Sequence, residues 1–503
     1  MSELLAGVDV GTQSVKAGLF SPAGRCVAES AVPLALERRG AGDVEQDPES
    51  FVAAAQQAIA ACAARAGRPA GAVAAVAVAG QMAGVLGVGA DGRAVTPYDS
   101  WLDSRCSAEL AELAERIGDE VVERTGCPPM VAHAPKIVWW RRRRPEVYER
   151  VAKWVVPSAY VAGRFCGLPG RDAYVDWTHL HFTGLAEAAT STWSPFLAGE
   201  VGVDLSLLPR IVAPTETVGE LTPEAAAACG LRPGTPVAAG LGDTAAGALG
   251  AGLVAPGQLL DTAGTAAVLG LSASDYRPDA SRTLVSMRGA LPDQWVALSY
   301  LAGGSLVTWL PQALAGGGGG EGTLAALLGE AGSALSPRRA GRPLFVPHLG
   351  GRILPPAAKA RGAWVGVDFS HTRGDLARAV LESVAFEYAG FLERALELFP
   401  DPAPREVRVI GGGQADALWN RIKASVLGLP YLRLARTSFG CFGAALVAGA
   451  AAGLVDDLGA AALAATPVAE RYEPDPALHA VYAERLAEYR ETAAVLVHEA
   501  VPA

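Results

Sequence analysis

Residues 240–247 of the 503-residue chain read Gly-Leu-Gly-Asp-Thr-Ala-Ala-Gly, and Asp243 is the lone carboxylate in an uncharged run from 233 to 260. Strand-forming residues precede it and small residues follow it. A charge at such a strand-to-helix junction faces a cleft, because burying it without a partner is costly. From there it can orient an alcohol and accept its proton as the oxygen attacks a phosphoryl group. A plainer role, capping the following helix, is compatible with this one. A second stretch, residues 7–14, reads Gly-Val-Asp-Val-Gly-Thr-Gln-Ser. This is a strand entering a tight hairpin, whose backbone N–H groups and Thr12 hydroxyl can hold a phosphate. Lys16 adds a positive charge just past it. Asp9 can hold Mg²⁺ through water, since Mg²⁺ keeps much of its hydration shell.

Several elements must position these groups. Residues 4–9, 15–20 and 26–33 read as a meander of three antiparallel strands with turn chemistry at both corners. Asp47 or Ser50 caps a helix running to about residue 64. A strand over 73–79 ends at Gly80-Gln81-Met82-Ala83-Gly84, and another covers 85–88. Residues 100–105 bring Trp101, Asp103 and Arg105 close together, and a helix runs from Arg105 to about 117. Residues 172–178, with Asp176, form a polar, aromatic loop suited to lining a cleft. The tryptophans and arginines of 139–144 read as a helix end with solvated charges rather than an anion patch.

After Gly252 the pattern restarts. A strand over 258–262 enters Ala263-Gly264-Thr265, with a partner strand over 266–271 and a third over 295–300. Asp261 precedes its turn as Asp9 precedes the first. Two similar halves then face each other across a cleft, and their hairpins hold the phosphates of one nucleotide from opposite sides. A third glycine unit joins a strand over 407–410 through Gly411-Gly412-Gly413 to a helix ending near 427, where a nucleotide can approach backbone and helix N-terminus. Residues 375–399 form a long helix with an apolar stripe at Leu376, Val380, Val384 and Tyr388. The glycine run 316–320 reads as a surface loop, and a last amphipathic helix covers about 476–500.

Length and composition indicate two large domains with ample core. The net charge of −10 argues against a nucleic-acid binder. Seven scattered cysteines without C-x-x-C spacing disfavour a disulfide framework and a zinc site, which fits a reducing cytoplasm. The uncharged stretch 69–90 is long enough to test as a membrane helix, but its glycines, Gln81 and strand-like alternation argue against one. No dinucleotide fingerprint follows the first strand, so a dinucleotide oxidoreductase ranks last.

The motifs in this order resemble the FGGY family of carbohydrate kinases, within the actin/sugar-kinase/heat-shock ATPase superfamily, and most of all its xylulokinases. They are residues 7–16, 44–48, 80–82, 101–105, 134–136, 240–247, 261–265, 378–382 and 411–413, and they cover nearly the whole chain. The resemblance implies an α/β fold of two ribonuclease-H-like domains, 1–252 and 253–503, that flank a catalytic cleft and close on ATP-Mg²⁺ and a sugar. It puts Asp243 as general base. Gly11, Thr12, Gln13, Lys16, Gly264 and Thr265 fall at the phosphates, and Gly412 and Gly413 near the adenosine. Gln81, Met82, Ala83, Trp101, Asp103, Arg105, Asp176 and Thr244 fall on the sugar side. The implied partner is a small sugar or polyol, a pentulose such as xylulose first, with no nucleic acid or membrane; the family habit is a homodimer.

The chain departs from the xylulokinase pattern at four places. Ala83 stands for a common His and Thr244 for a common Asn. Residues 350–355 lack an acid of the Gly-Glu-Arg-Thr-Pro segment, and residues 421–425 read Arg-Ile-Lys-Ala-Ser. Ala83 and Thr244 touch the sugar side, where specificity is set by polar contacts. The competing class is a nucleotide-dependent binding or assembly protein related to actin, which needs no alcohol site.

Overall fold

A computed structural model describes residues 3–40, 42–264, 266–301, 303–316 and 321–498. Residues Thr265, 317–320 and 499–500 of the readings above lie outside these.

The first sheet holds six strands: β1 (Leu4–Val10), β2 (Ser14–Phe20), β3 (Cys26–Pro33), β4 (Val73–Gly80), β5 (Thr217–Glu220) and β6 (Pro236–Gly242), in the order β5-β6-β4-β1-β2-β3. The meander β1-β2-β3 is antiparallel, while β4 and β6 run parallel to β1. Parallel strands are covered on both faces, so β4 reads Val-Ala-Ala-Val-Ala-Val-Ala-Gly without alternation. The second sheet repeats the plan: β7 (Leu259–Ala263), β8 (Ala267–Ala273), β9 (Val285–Arg288), β10 (Trp295–Leu298), β11 (Val407–Ile410), β12 (Tyr431–Leu434) and β13 (Val468–Tyr472), in the order β9-β10-β8-β7-β11-β12-β13. Stripped of edge strands, each sheet runs third-second-first-fourth-fifth in chain order. This is the ribonuclease-H-like order, present twice.

The helices close this frame. α1 (Pro48–Ala66) packs on the first meander; Asp47 caps it by accepting from Glu49 N–H, with proline at its first position. α2 (Asp243–Gly250) leaves β6 without a loop. α3 (Arg373–Leu398) opens on a capping box between Thr372 and Asp375 and buries Val380, Val384 and Tyr388. α4 (Ala417–Leu427) follows the third glycine unit, and α5 (Phe439–Ala451) packs against α2 and β1.

One core joins the two halves. Leu5, Ala77 and Leu241 of the first sheet, Leu260, Val268 and Leu298 of the second, and Ala246, Phe442 and Leu446 of α2 and α5 form one buried apolar cluster. α5 lies so close to β1 that a Cβ on Gly7 would stand 1.8 Å from the Cys441 carbonyl oxygen. Only glycine permits that approach.

Two element readings need correction. The helix expected from Arg105 to 117 runs Ser107–Thr125, through a kink at Ile117. The strand expected over 295–300 ends at Leu298, and Val285–Arg288 forms an unforeseen edge beside it. Four residues are too few to raise a readable period.

Candidate active site

The junction of β6 and α2 carries Asp243. Its Oδ1 accepts the Thr244 N–H at 2.6 Å and the Thr244 hydroxyl at 3.3 Å. Burial raises its carboxyl above the ordinary value, against the Thr244 bonds and the nearby His179. Met82 packs against the strand end: a Cβ on Gly242 would lie 2.5 Å from its Sδ.

Asp9 lies on β1, one strand removed from β6, opposite Lys16 on β2 and Ala79 on β4. Burial pushes its carboxyl up to about 7; the Asp243 charge adds to the rise and Lys16 opposes it. Its Oδ1 is buried and has no hydrogen-bond partner. The equivalent carboxylate of the second half differs. Asp261 is fully buried, accepting from Lys423 Nζ at 2.5 Å and the Tyr388 hydroxyl at 2.8 Å. Lys423 itself sits 3.8 Å from the Trp419 ring centroid. Both carboxylates sit on the first strand of a meander, yet of the two only Asp9 has an oxygen to offer.

A closed ring of hydrogen bonds ties the first hairpin to the expected sugar side. Trp101 Nε1 donates to Thr12 Oγ1 at 2.9 Å, and Thr12 Oγ1 to Gln81 Oε1 at 3.3 Å. Gln81 Nε2 donates to Gln46 Oε1 at 2.9 Å, and Gln46 Nε2 to the Thr12 carbonyl at 3.0 Å. Gln13 and Lys16 are exposed, and Gly11 closes the turn by donating to the Ser14 carbonyl at 3.1 Å. Ala83 takes φ +63°, the left-handed region, which costs a residue with a side chain about 1 kcal/mol.

Asp103 and Arg105 are engaged within the protein. Asp103 accepts from Val44 N–H at 2.7 Å and from Arg105 Nε at 3.0 Å. The other guanidinium nitrogens face Asp43, Glu45 and Asp99. Arg105 also stacks 4.7 Å over Trp139. Buried Lys136 donates to the Ser100 and Asp103 carbonyls at 2.6 and 2.9 Å. This lattice fixes the loop that presents Trp101, which is 40% exposed.

On the expected nucleotide side, Gly264, Gly412 and Gly413 line one cleft of about 490 Å³ with Ser305, Thr308, Leu324, Leu328 and Asp416. That size suits a small-molecule ligand. Gly411 takes φ +87°, and a Cβ there would lie 2.7 Å from the Ala263 carbonyl oxygen. The third glycine unit is therefore pressed against the end of the second hairpin. Asp416 caps α4 by accepting the Trp419 N–H at 2.9 Å.

Sequence reading missed the turn after Asp176. Asp176 Oδ1 accepts from Thr178 N–H and Oγ1, and its Oδ2 stands 2.7 Å from His179 Nδ1. Thr178 Oγ1 in turn accepts the Gly242 N–H at 2.9 Å, which ties this turn to the residue before Asp243. The signal was present as an Asp with Thr two residues on, an Asx-type turn. Nothing local said that it would meet β6.

Comparison with known proteins bears on the family and the fold. The model of the FGGY family of carbohydrate kinases, N-terminal domain, matches residues 4–250, and that of its C-terminal domain matches residues 260–452. The chain is 30% identical over 487 residues to the xylulose kinase of Streptomyces coelicolor, covering 94% of each chain. It is 26% identical over 457 residues to the xylulose kinase of Bacillus subtilis, covering 90% of this chain and 89% of the other. Among solved structures, a xyloylose kinase from Brucella ovis superposes with a TM-score of 0.89 at 28% identity, over 98% of this chain and 99% of that one.

Proposed function

We propose that this chain, which belongs to the FGGY family of carbohydrate kinases, transfers the γ-phosphate of ATP to a hydroxyl of a pentulose such as xylulose, with Asp243 as general base. Its membership makes it a phosphotransferase with an alcohol acceptor, and sugar kinases of this family use ATP. Xylulose comes from the names of the relatives. The observation that carries the mechanism is the state of Asp243: a half-buried carboxylate, raised by burial, held through Oδ1 alone among the described residues. A base of raised pKa takes a proton more readily than an ordinary carboxylate.

The acceptor enters between the Gln81–Ala83 turn, Trp101 and Asp243. Thr244 fixes the carboxylate, so the attacking oxygen meets an oriented acceptor and not a rotating one. The hairpins at Gly11–Thr12 and at Gly264 hold the phosphates by backbone N–H groups, and the 490 Å³ cleft beyond them takes the adenosine. The buried, unpartnered Asp9 Oδ1 fits Mg²⁺, and no group of three or more His, Cys, Asp or Glu suited to a metal lies among the described residues. A single carboxylate suits an ion that keeps waters and phosphate oxygens as its other ligands; when bound, Mg²⁺ neutralises charge on the β- and γ-phosphates. Approach of the two halves excludes water, which would otherwise compete as nucleophile. Asp103 and Arg105 serve by holding the Trp101 loop.

The test is ADP release with ATP-Mg²⁺ against a panel of ketoses, aldoses and polyols, run alongside Asp243→Asn. The wild type gives a sugar-dependent signal, and the variant binds ATP but loses about 10²–10⁴-fold in turnover. Full turnover by the variant refutes the base. A signal from another ketose or a polyol, with D-xylulose silent, moves the acceptor assignment, as Ala83 and Thr244 would favour.

A further inference from the structure

Three buried histidines have no part in the transfer described above, and one of them, His179, lies close enough to Asp243 to act on its charge. His133, His179 and His181 are 5%, 0% and 2% exposed. His133 Nε2, His179 Nε2 and both ring nitrogens of His181 have no hydrogen-bond partner, and neither do the nearby hydroxyls of Tyr98 and Tyr300. His181 stacks on Phe182 at 4.0 Å between centroids, and Phe182 faces Tyr300 at 6.2 Å. Tyr98, Tyr300 and His179 are each close enough to feel the Asp243 charge. Buried polar atoms are nearly always partnered, so the unpartnered Tyr98 and Tyr300 hydroxyls and His179 Nε2, all near one carboxylate, need an explanation. A polyhydroxylated ligand supplies one, because each hydroxyl both donates and accepts.

His179 differs from the other two. Its Nδ1 faces Asp176 Oδ2 at 2.7 Å, and a carboxylate can only accept, so Nδ1 carries the proton. In the neutral ring Nε2 is then a lone pair with a fixed direction. Asp176 is itself locked by Thr178, and Thr178 is bound to the Gly242 N–H, so the ring is held in register with Asp243. His133 and His181 are pushed down to about 3 by burial and by the neighbouring histidines. They stay uncharged and add no net charge against the acceptor.

We propose that His179 Nε2 accepts a hydrogen bond from a second hydroxyl of the sugar, beside the one that faces Asp243, and that this contact sets acceptor specificity in this chain. The inference rests on the kinase reading and adds to it a residue and a polarity: the site demands a hydroxyl that donates. Discrimination of this kind is strong, because an acceptor analogue lacking the hydroxyl leaves a buried nitrogen unpaired.

The experiment compares wild type, His179→Ala and His179→Gln on D-xylulose, D-ribulose, L-ribulose and the monodeoxy analogues of whichever turns over fastest. ATP affinity is measured separately by calorimetry without sugar. The wild type discriminates against one otherwise reactive monodeoxy analogue by about 10- to 100-fold in kcat/KM. His179→Ala loses the same factor on the parent sugar, stays near wild type on that analogue, and binds ATP unchanged. His179→Gln, whose side-chain carbonyl accepts, recovers part of the loss and carries the comparison if the Ala variant does not fold. An equal loss on every sugar, or no loss, overturns the proposal while leaving the kinase intact. A wild type with no sugar-dependent ADP release on any member of the panel overturns both.

Discussion

Replacing Asp9 with Asn keeps the shape of the side chain and removes its charge, and the structure gives the size of the effect. The carboxyl is held at about 7 against an ordinary 3.8, chiefly by burial, with the Asp243 charge second and Lys16 opposing. A folded-state pKa above the unfolded one means that the folded chain binds the proton more tightly. The ionised form is therefore destabilising, and its cost is absent below about pH 4 and complete above about pH 7. At about 1.4 kcal/mol per pH unit, the cost is about 1.6 kcal/mol at pH 5 and about 4 kcal/mol at pH 8. Asn stays neutral throughout. Urea denaturation of the free protein at pH 5, 6, 7 and 8 should show Asp9→Asn more stable than wild type, with the gap widening by about 2–3 kcal/mol from pH 5 to pH 8. A gap that does not change with pH, or an Asn variant less stable at pH 8, refutes the reasoning. The same variant should lose sugar-dependent ADP release, since it lacks the charge that holds a cation. Stability and activity then move in opposite directions, as they do where a site stores an unfavourable charge for function.

Three further outcomes are expected. Asp243→Asn removes the second contribution to the raised Asp9 carboxyl, so in that background the pH-dependent gap of Asp9→Asn shrinks; an unchanged gap in the same urea series separates the two carboxylates electrostatically. Lys423→Met leaves Asp261 buried without its counter-charge and should cost about 3–5 kcal/mol in urea denaturation, most of it recovered by adding Asp261→Asn; equal losses in single and double variants would show that the pair is not coupled. Ala83→His places a polar group on the proposed sugar side at a position already in the left-handed region, and should raise kcat/KM for D-xylulose relative to other ketoses; an unchanged ratio shows that Ala83 does not set specificity.

Much of the frame was legible along the chain because its signals are local. The β1–β2 and β7–β8 hairpins were readable from strand-forming runs broken by small turn residues. The Asp47 cap, the long helix 373–398 and the strand-glycine-helix unit after Val407 follow from period and turn chemistry within one window. Asp243 stood out because a charge in 28 otherwise uncharged residues is itself a local anomaly. The edge strand Val285–Arg288 was not legible, because four residues carry no period.

What separates Asp9 from Asp261 is decided only in three dimensions. Both precede a small-residue turn on the first strand of a meander, and the chain around each gives no reason to treat them differently. Folding brings Lys423, 162 residues away, onto Asp261 and leaves Asp9 Oδ1 with no partner. The same holds for Arg105, which the family resemblance put on the sugar side and whose guanidinium is taken up by Asp43, Glu45, Asp99 and Asp103. It holds too for His179, which becomes notable only once the Asp176 turn docks on the end of β6. Sequence determined which residues can bear charge and where strands and turns fall, because those depend on neighbours a few positions apart. Which charges are neutralised and which are left facing the cleft depends on side chains far off in the chain, and the tertiary structure alone decides it.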